Sequence, residues 1–195
     1  MAKLNEGGFL DSGGDYRNLI FYKKTKILFD MTYWFKEHYL EHGDRTQDQM
    51  QQAARSGKQN IAEGKEDGLT SAEMELKLVN VARSSLTELR EDYEDQLMVR
   101  RLKQWKKNHP RFCAMKNYCY RHHEPADYQK YYDKWSIEEF CNVALTLIHQ
   151  ADKGMWNWIK KREQQFLEEG GIREKMSAAR REARDNNKNH RTLEP

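Results

Sequence analysis

Within residues 50–64, Met50, Ala54, Gly57 and Ile61 recur at steps of four, three and four, which places them on one face of an α-helix. Ala53, Ala54 and Gly57, on or beside that face, are very small. A glycine inside a helix costs about 1 kcal/mol relative to alanine. Close approach of a second helix would offset that cost, so this stretch sets the fold as a helix-packing seam. Asn60 and Glu63 lie about one turn apart beside the stripe. They read either as a solvated polar pair or as a fixed contact with the next helix or a neighbouring subunit. Thr46-Gln47-Asp48-Gln49 fits a capping box and Gly64 fits a stop signal, so the helix is expected over about 46–64.

The remaining pattern is also helical. The chain has 195 residues, 37% hydrophobic and 33% charged, which suits long amphipathic helices with wet outer faces. Its prolines are Pro110, Pro125 and Pro195, so long uninterrupted helices are allowed between them. A first helix is expected over about 15–42, with Ile20, Ile27, Met31, Trp34 and Phe35 as its buried stripe. A third starts at the capping box Thr70-Ser71-Ala72-Glu73. It carries Val79, Ala82, Leu86, Leu89, Tyr93 and Leu97, and its pattern extends to about 107. If it folds back along the second, Gly57 falls near Leu78, and Ala53 near Ala82. Residues 108–135 read as an irregular connection with one short helix at most. A further capping box, Ser136-Ile137-Glu138-Glu139, opens a fourth long helix. Its seam runs through Ile137, Cys141, Ala144, Ile148, Ala151, Met155 and Trp158. After Gly170-Gly171, residues Ile172, Met176, Ala179 and Ala183 indicate a short fifth helix before a frayed end.

These elements give an all-α fold, an antiparallel up-and-down four-helix bundle with a short C-terminal helical extension. The expected organisation is a flexible lead-in over 1–14, a bundle over 15–169 with a basic insertion at about 108–135, and a helical suffix over 170–195. Three cysteines in a chain of this size argue against a disulfide framework and for a reducing compartment. With no secretory pattern and no apolar run of membrane-spanning length, the expectation is a soluble, cytoplasmic protein without a membrane role.

Asn60-Ile61-Ala62-Glu63-Gly64, followed by Ala82-Arg83-Ser84-Ser85-Leu86-Thr87-Glu88-Leu89, resembles a bacterial four-helix-bundle family. Its members include proteins encoded in intervening sequences of large ribosomal RNA genes. The accessory bundle proteins of diversity-generating retroelements are related. The resemblance covers about 15–107 and, less specifically, the fourth long helix. It implies a bundle assembling into ring-like pentamers, no enzymatic activity, and nucleic-acid binding for some members. The long basic connection and the suffix depart from the compact members, although the suffix resembles that of one subgroup.

The net charge of +3 decides little, but its distribution is informative. Arg100, Arg101, Lys103, Lys106, Lys107, Arg111, Lys116 and Arg121 fall in a run with no acidic residue, interleaved with Trp105, Phe112, Tyr118 and Tyr120. Phosphates need cations and unpaired bases stack on aromatic rings, so this mixture suits RNA or single-stranded DNA. The competing reading is a solvated helix end whose aromatics plug the bundle. Catalytic and cofactor readings find no support. Cys113, Cys119, His122 and His123 match no zinc-finger spacing. None of the seven histidines has a Glu three residues before it, as a di-iron bundle requires. The leading expectation is a non-enzymatic oligomeric scaffold that binds nucleic acid, without metal or cofactor. The alternative is a structural or protein-interaction module.

Overall fold

A computed structural model describes residues 15–68 and 71–191. The described residues contain seven α-helices, one 3-10 turn and no strand. The helices are α1 (Ile20–Tyr39), α2 (Arg45–Asp67), α3 (Ala72–Val99), α4 (Phe112–Arg121), α5 (Ala126–Gln129), α6 (Ile137–Glu169) and α7 (Ile172–Arg191). The four longest packed helices form a closed cycle, in which α1 meets α2 and α6, and α3 meets α2 and α6. The expected lead-in over 1–14, Thr70 and the last four residues lie outside the described residues.

The core is built from the heptad-like stripes. Ile27, Leu28, Met31 and Phe35 of α1 are buried, as are Met50, Ala53, Ala54, Gly57 and Ile61 of α2. Val79, Ala82, Leu86, Leu89, Tyr93 and Leu97 of α3 close over them, with Cys141, Ala144, Ile148, Ala151 and Met155 of α6. Each large apolar side chain buried this way contributes about 1.5–3 kcal/mol. Tyr93 brings a hydroxyl into this core and shares a 3.0 Å hydrogen bond with Thr32.

Several boundaries differ from the sequence reading. α1 begins at Ile20, after the 3-10 turn Tyr16–Asn18, and Ile20 itself is exposed because it sits on the outer side of the first turn. α2 is capped by Asp44, whose carboxylate accepts from the Thr46 amide at 2.8 Å. α2 continues through Gly64 to Asp67. Moving that turn C-terminally changes the register against α3. A Cβ on Gly57 would lie 2.9 Å from Leu86 Cδ2 and 3.7 Å from the Ala82 carbonyl. Gly64, rather than Gly57, faces Leu78, whose Cβ would be 3.1 Å from a Cβ placed there. The helices therefore approach closely at both glycines, with different partners from those the spacing suggested: the end of the Leu86 side chain at Gly57, and Leu78 Cβ with the Glu75 carbonyl at Gly64. Ser71 caps α3 by accepting from the Met74 amide.

Asn60 does not reach across to α3. It donates to the Ser56 carbonyl and hydroxyl at 2.9 Å, and Ser85 of α3 donates to that same hydroxyl at 3.0 Å. Glu63 is exposed and accepts from Gln59 on its own helix. Where α2, α3 and α6 meet, buried Glu75 accepts from Lys65 at 2.6 Å and from Arg162 at 2.7 Å. That carboxylate crosslinks three helices.

Candidate nucleic-acid interface

The basic run begins where α3 stops, eight residues before the end suggested by its pattern. The Arg101 amide donates to the Met98 carbonyl at 3.0 Å and the Leu102 amide to the Leu97 carbonyl at 2.9 Å. This is a Schellman termination, with Leu102 and buried Leu97 as the accompanying apolar pair. Its left-handed position, φ 55°, is held by Arg101 instead of glycine. A non-glycine residue there costs roughly 1–2 kcal/mol. The missing glycine is why the stop could not be read from the sequence.

Arg100 is a structural residue. Its guanidinium donates to the Tyr39 carbonyl at 2.8 Å and to the Gln96 side chain, satisfying a backbone acceptor at the C-terminal end of α1.

The next residues are fastened to α6. The Trp105 amide donates to Asn142 Oδ1 at 2.6 Å, and Asn142 Nδ2 donates to the Lys103 carbonyl at 2.9 Å. Glu138 accepts from the Trp105 indole at 2.8 Å and from the Lys103 amide at 3.1 Å. These donors hold the Glu138 carboxyl below the usual carboxylate range, the indole having the larger effect. Trp105 is buried, with its ring stacked on His109. Trp105 is therefore not an exposed platform: His109 stacks on its ring and Glu138 takes its indole N–H, which fixes it against the fold.

Residues 108–135 contain two helices where the sequence suggested one at most. α4 presents Met115 and Cys119 to the core, while α5 is a single turn that buries Tyr128. Arg111 forms an ion pair with Glu139. The other oxygen of Glu139 accepts from the Ser136 amide, completing the expected capping box. Tyr118 is half-buried, donates to the Asp127 carbonyl at 2.7 Å and stacks on His122. Tyr120 is 73% exposed, so it is the freely accessible aromatic of the run.

The eight cations thus divide. Arg100 and Arg111 are engaged with the fold. Arg101, Lys103, Lys106, Lys107, Lys116 and Arg121 have exposed side chains, and none forms an ion pair among the described residues. A lysine outside the basic run supports α4 from the core side. Lys24 of α1 is buried and donates to the Cys119 carbonyl at 2.6 Å. Burial lowers its ammonium to about 8. The Cys119 and Cys141 thiols are pushed up to about 11 and about 12 by burial, and Cys113 is exposed. No group of three or more His, Cys, Asp or Glu among the described residues is arranged to hold a metal ion.

Asn142 and Glu138 were the anchors missed by the sequence reading. One signal was available: Asn142 is a polar residue inside the buried run 140–148, where an unsatisfied amide is costly. No helix among the described residues is long and apolar enough to cross a membrane. Comparison of the chain with protein-family models, curated proteins and solved structures finds no match.

Proposed function

We propose that the protein is a non-enzymatic, cytoplasmic homo-oligomeric scaffold that binds RNA or DNA through the surface spanning residues 101–121. The observation that carries this reading is the division of the cations: two are engaged with the fold, and six have exposed side chains that form no ion pair among the described residues. Phosphate neutralisation needs that kind of unpaired charge. Arg101 adds support, since a glycine would relieve its left-handed backbone but remove a cation.

The proposed architecture is an antiparallel four-helix bundle of α1, α2, α3 and α6. Its support is their closed contact cycle and the short connections between α1 and α2 and between α2 and α3. The resemblance of residues 60–64 and 82–89 to the bacterial bundle family adds a pentameric ring, which would multiply the local positive field. Solution mass measurement tests that assembly, and a clean monomer at micromolar concentration refutes it.

A second reading, a protein-interaction module, has one specific observation in its favour. α7 leaves α6 through Gly170, φ 71°, and packs extensively against no other helix among the described residues. The discriminating experiment is titration of a labelled single-stranded oligonucleotide at several salt concentrations. Log affinity should fall with log salt by about 0.7 per phosphate neutralised. Lys106→Glu with Lys107→Glu should weaken binding at least about tenfold. No binding by the unaltered protein at about 50 mM salt rejects the nucleic-acid reading.

A further inference from the structure

Beside the basic surface, α4 and α6 enclose an open cleft of about 320 Å³. Its walls include Trp105, Tyr118, Tyr131 and Trp135, and Arg111 and Glu139 also line it. Tyr131 and Trp135 stack with centroids 5.4 Å apart and an interplanar angle of 17°. Four aromatic residues thus line a mostly apolar slot, near the lower size limit of small-ligand cavities, about 300 Å³.

The surroundings are cationic. Lys130 and Lys134 place their ammonium groups 5.3 Å and 5.9 Å from the Tyr131 ring. Exposed Lys106 and Lys107 directly follow Trp105 in the chain. An uncharged apolar side chain would use the slot but not these cations. A phosphate chain alone would use the cations but not the slot. An aromatic base attached to a phosphate uses both.

We propose that this cleft receives one unpaired nucleobase from a single strand whose phosphates lie on the basic surface. The base stacks against the aromatic walls, while the Arg111–Glu139 pair offers donors and an acceptor at its edge. The proposal rests on the nucleic-acid reading and adds that recognition requires a base, not merely a polyanion. Trp105 takes part as a fixed wall within the slot rather than as an exposed platform.

The test compares a single-stranded deoxyadenylate oligomer with an abasic strand carrying the same number of phosphates. Fluorescence anisotropy should give roughly tenfold tighter binding for the base-bearing strand, as expected from stacking one base. Ala114→Leu fills the slot from an exposed position on α4, and Tyr131→Ala removes one wall. Each should reduce the affinity for the base-bearing strand to that for the abasic strand, without altering abasic binding or helical circular dichroism. Equal binding of the two strands by the unaltered protein overturns the base site while preserving the basic surface. Base dependence that persists in both variants also overturns it. Failure of either strand to bind at low salt removes the nucleic-acid reading and the base site with it. If N-acetyltryptophanamide perturbs the slot as strongly as adenosine monophosphate, the slot suits a protein side chain and the proposal fails.

Discussion

The α2–α3 seam and the connection from Arg100 to Trp135 solve the same problem, holding helices together, by opposite chemistry. The seam uses small and apolar side chains at helical spacing, with Gly57 making room for the Leu86 side chain and Gly64 permitting close approach of the α3 backbone. The connection uses polar anchors: Arg100 on Tyr39, Asn142 on Trp105, and Glu138 on Lys103 and Trp105. The first strategy leaves periodicity in the sequence. The second depends on single residues far apart in the chain, which only the fold brings together. Anchoring by a few fixed contacts also leaves most of the basic side chains of the connection facing solvent.

The largest expected effect lies at the end of the seam. Glu75→Ala leaves Lys65 and Arg162 facing a buried site without their shared carboxylate. Breaking such a buried cluster costs about 3–5 kcal/mol, measurable by urea unfolding. A loss below about 1 kcal/mol would show that the seam does not depend on this ionic crosslink.

In the connection, Asn142→Ala removes the acceptor for the Trp105 amide and the donor to the Lys103 carbonyl. The expected loss is about 2–3 kcal/mol. Hydrogen exchange should accelerate at the Trp105 amide while amides within α2 and α3 stay protected. Equal acceleration throughout would mean that the two regions unfold as one.

Lys24 tests the junction of α1 with α4 through pH. Its ammonium is lowered from 10.5 to about 8 by burial, with Cys119 opposing the shift. Below pH 8 both the folded and unfolded states carry the charge, and its burial weighs fully against folding. As pH rises from 8 towards 10.5, the folded amine loses its proton first and that penalty is relieved. Relative to Lys24→Met, the natural chain should therefore gain about 2 kcal/mol between pH 8 and 9.5. Paired denaturation curves at those two pH values read this directly. A difference that stays flat contradicts the assignment.

The smallest effects distinguish two glycines of the seam. A methyl on Gly64 meets Leu78 Cβ at 3.1 Å and the Glu75 carbonyl at 3.3 Å, neither of which moves readily. Gly64→Ala should cost about 2 kcal/mol. At Gly57 the nearest atom is the terminal methyl of Leu86, and improved helix propensity offsets part of the clash. Gly57→Ala should cost about 1 kcal/mol or less. The reverse order in thermal melts would place the tighter contact at the wrong end.

The sequence was most readable where one side chain's neighbours recur every three or four residues. Val79 to Leu97 and Cys141 to Met155 fall in the core as their spacing implied, and the Ser136–Glu139 capping box forms. Helix ends were less readable. Arg101 adopts a backbone conformation usually marked by glycine, so α3 ends without its customary signal. α4 lacks a side-chain cap, although Met115 and Cys119 at a four-residue step were visible. At the candidate interface the cations could be identified, but not their division, because Tyr39 and Glu139 are distant in sequence from the arginines they engage.

The decisive measurement is the salt dependence of single-strand binding in two double variants, Lys106→Gln with Lys107→Gln and Arg100→Gln with Arg111→Gln. The lysine pair should reduce the log–log salt slope by about 1.4, equivalent to two lost phosphate contacts, and leave stability unchanged. The arginine pair should lower stability while the slope of the folded protein remains near its original value. An unchanged slope in the lysine pair, with the full reduction appearing in the arginine pair, would contradict the division of labour on which the proposed interface rests.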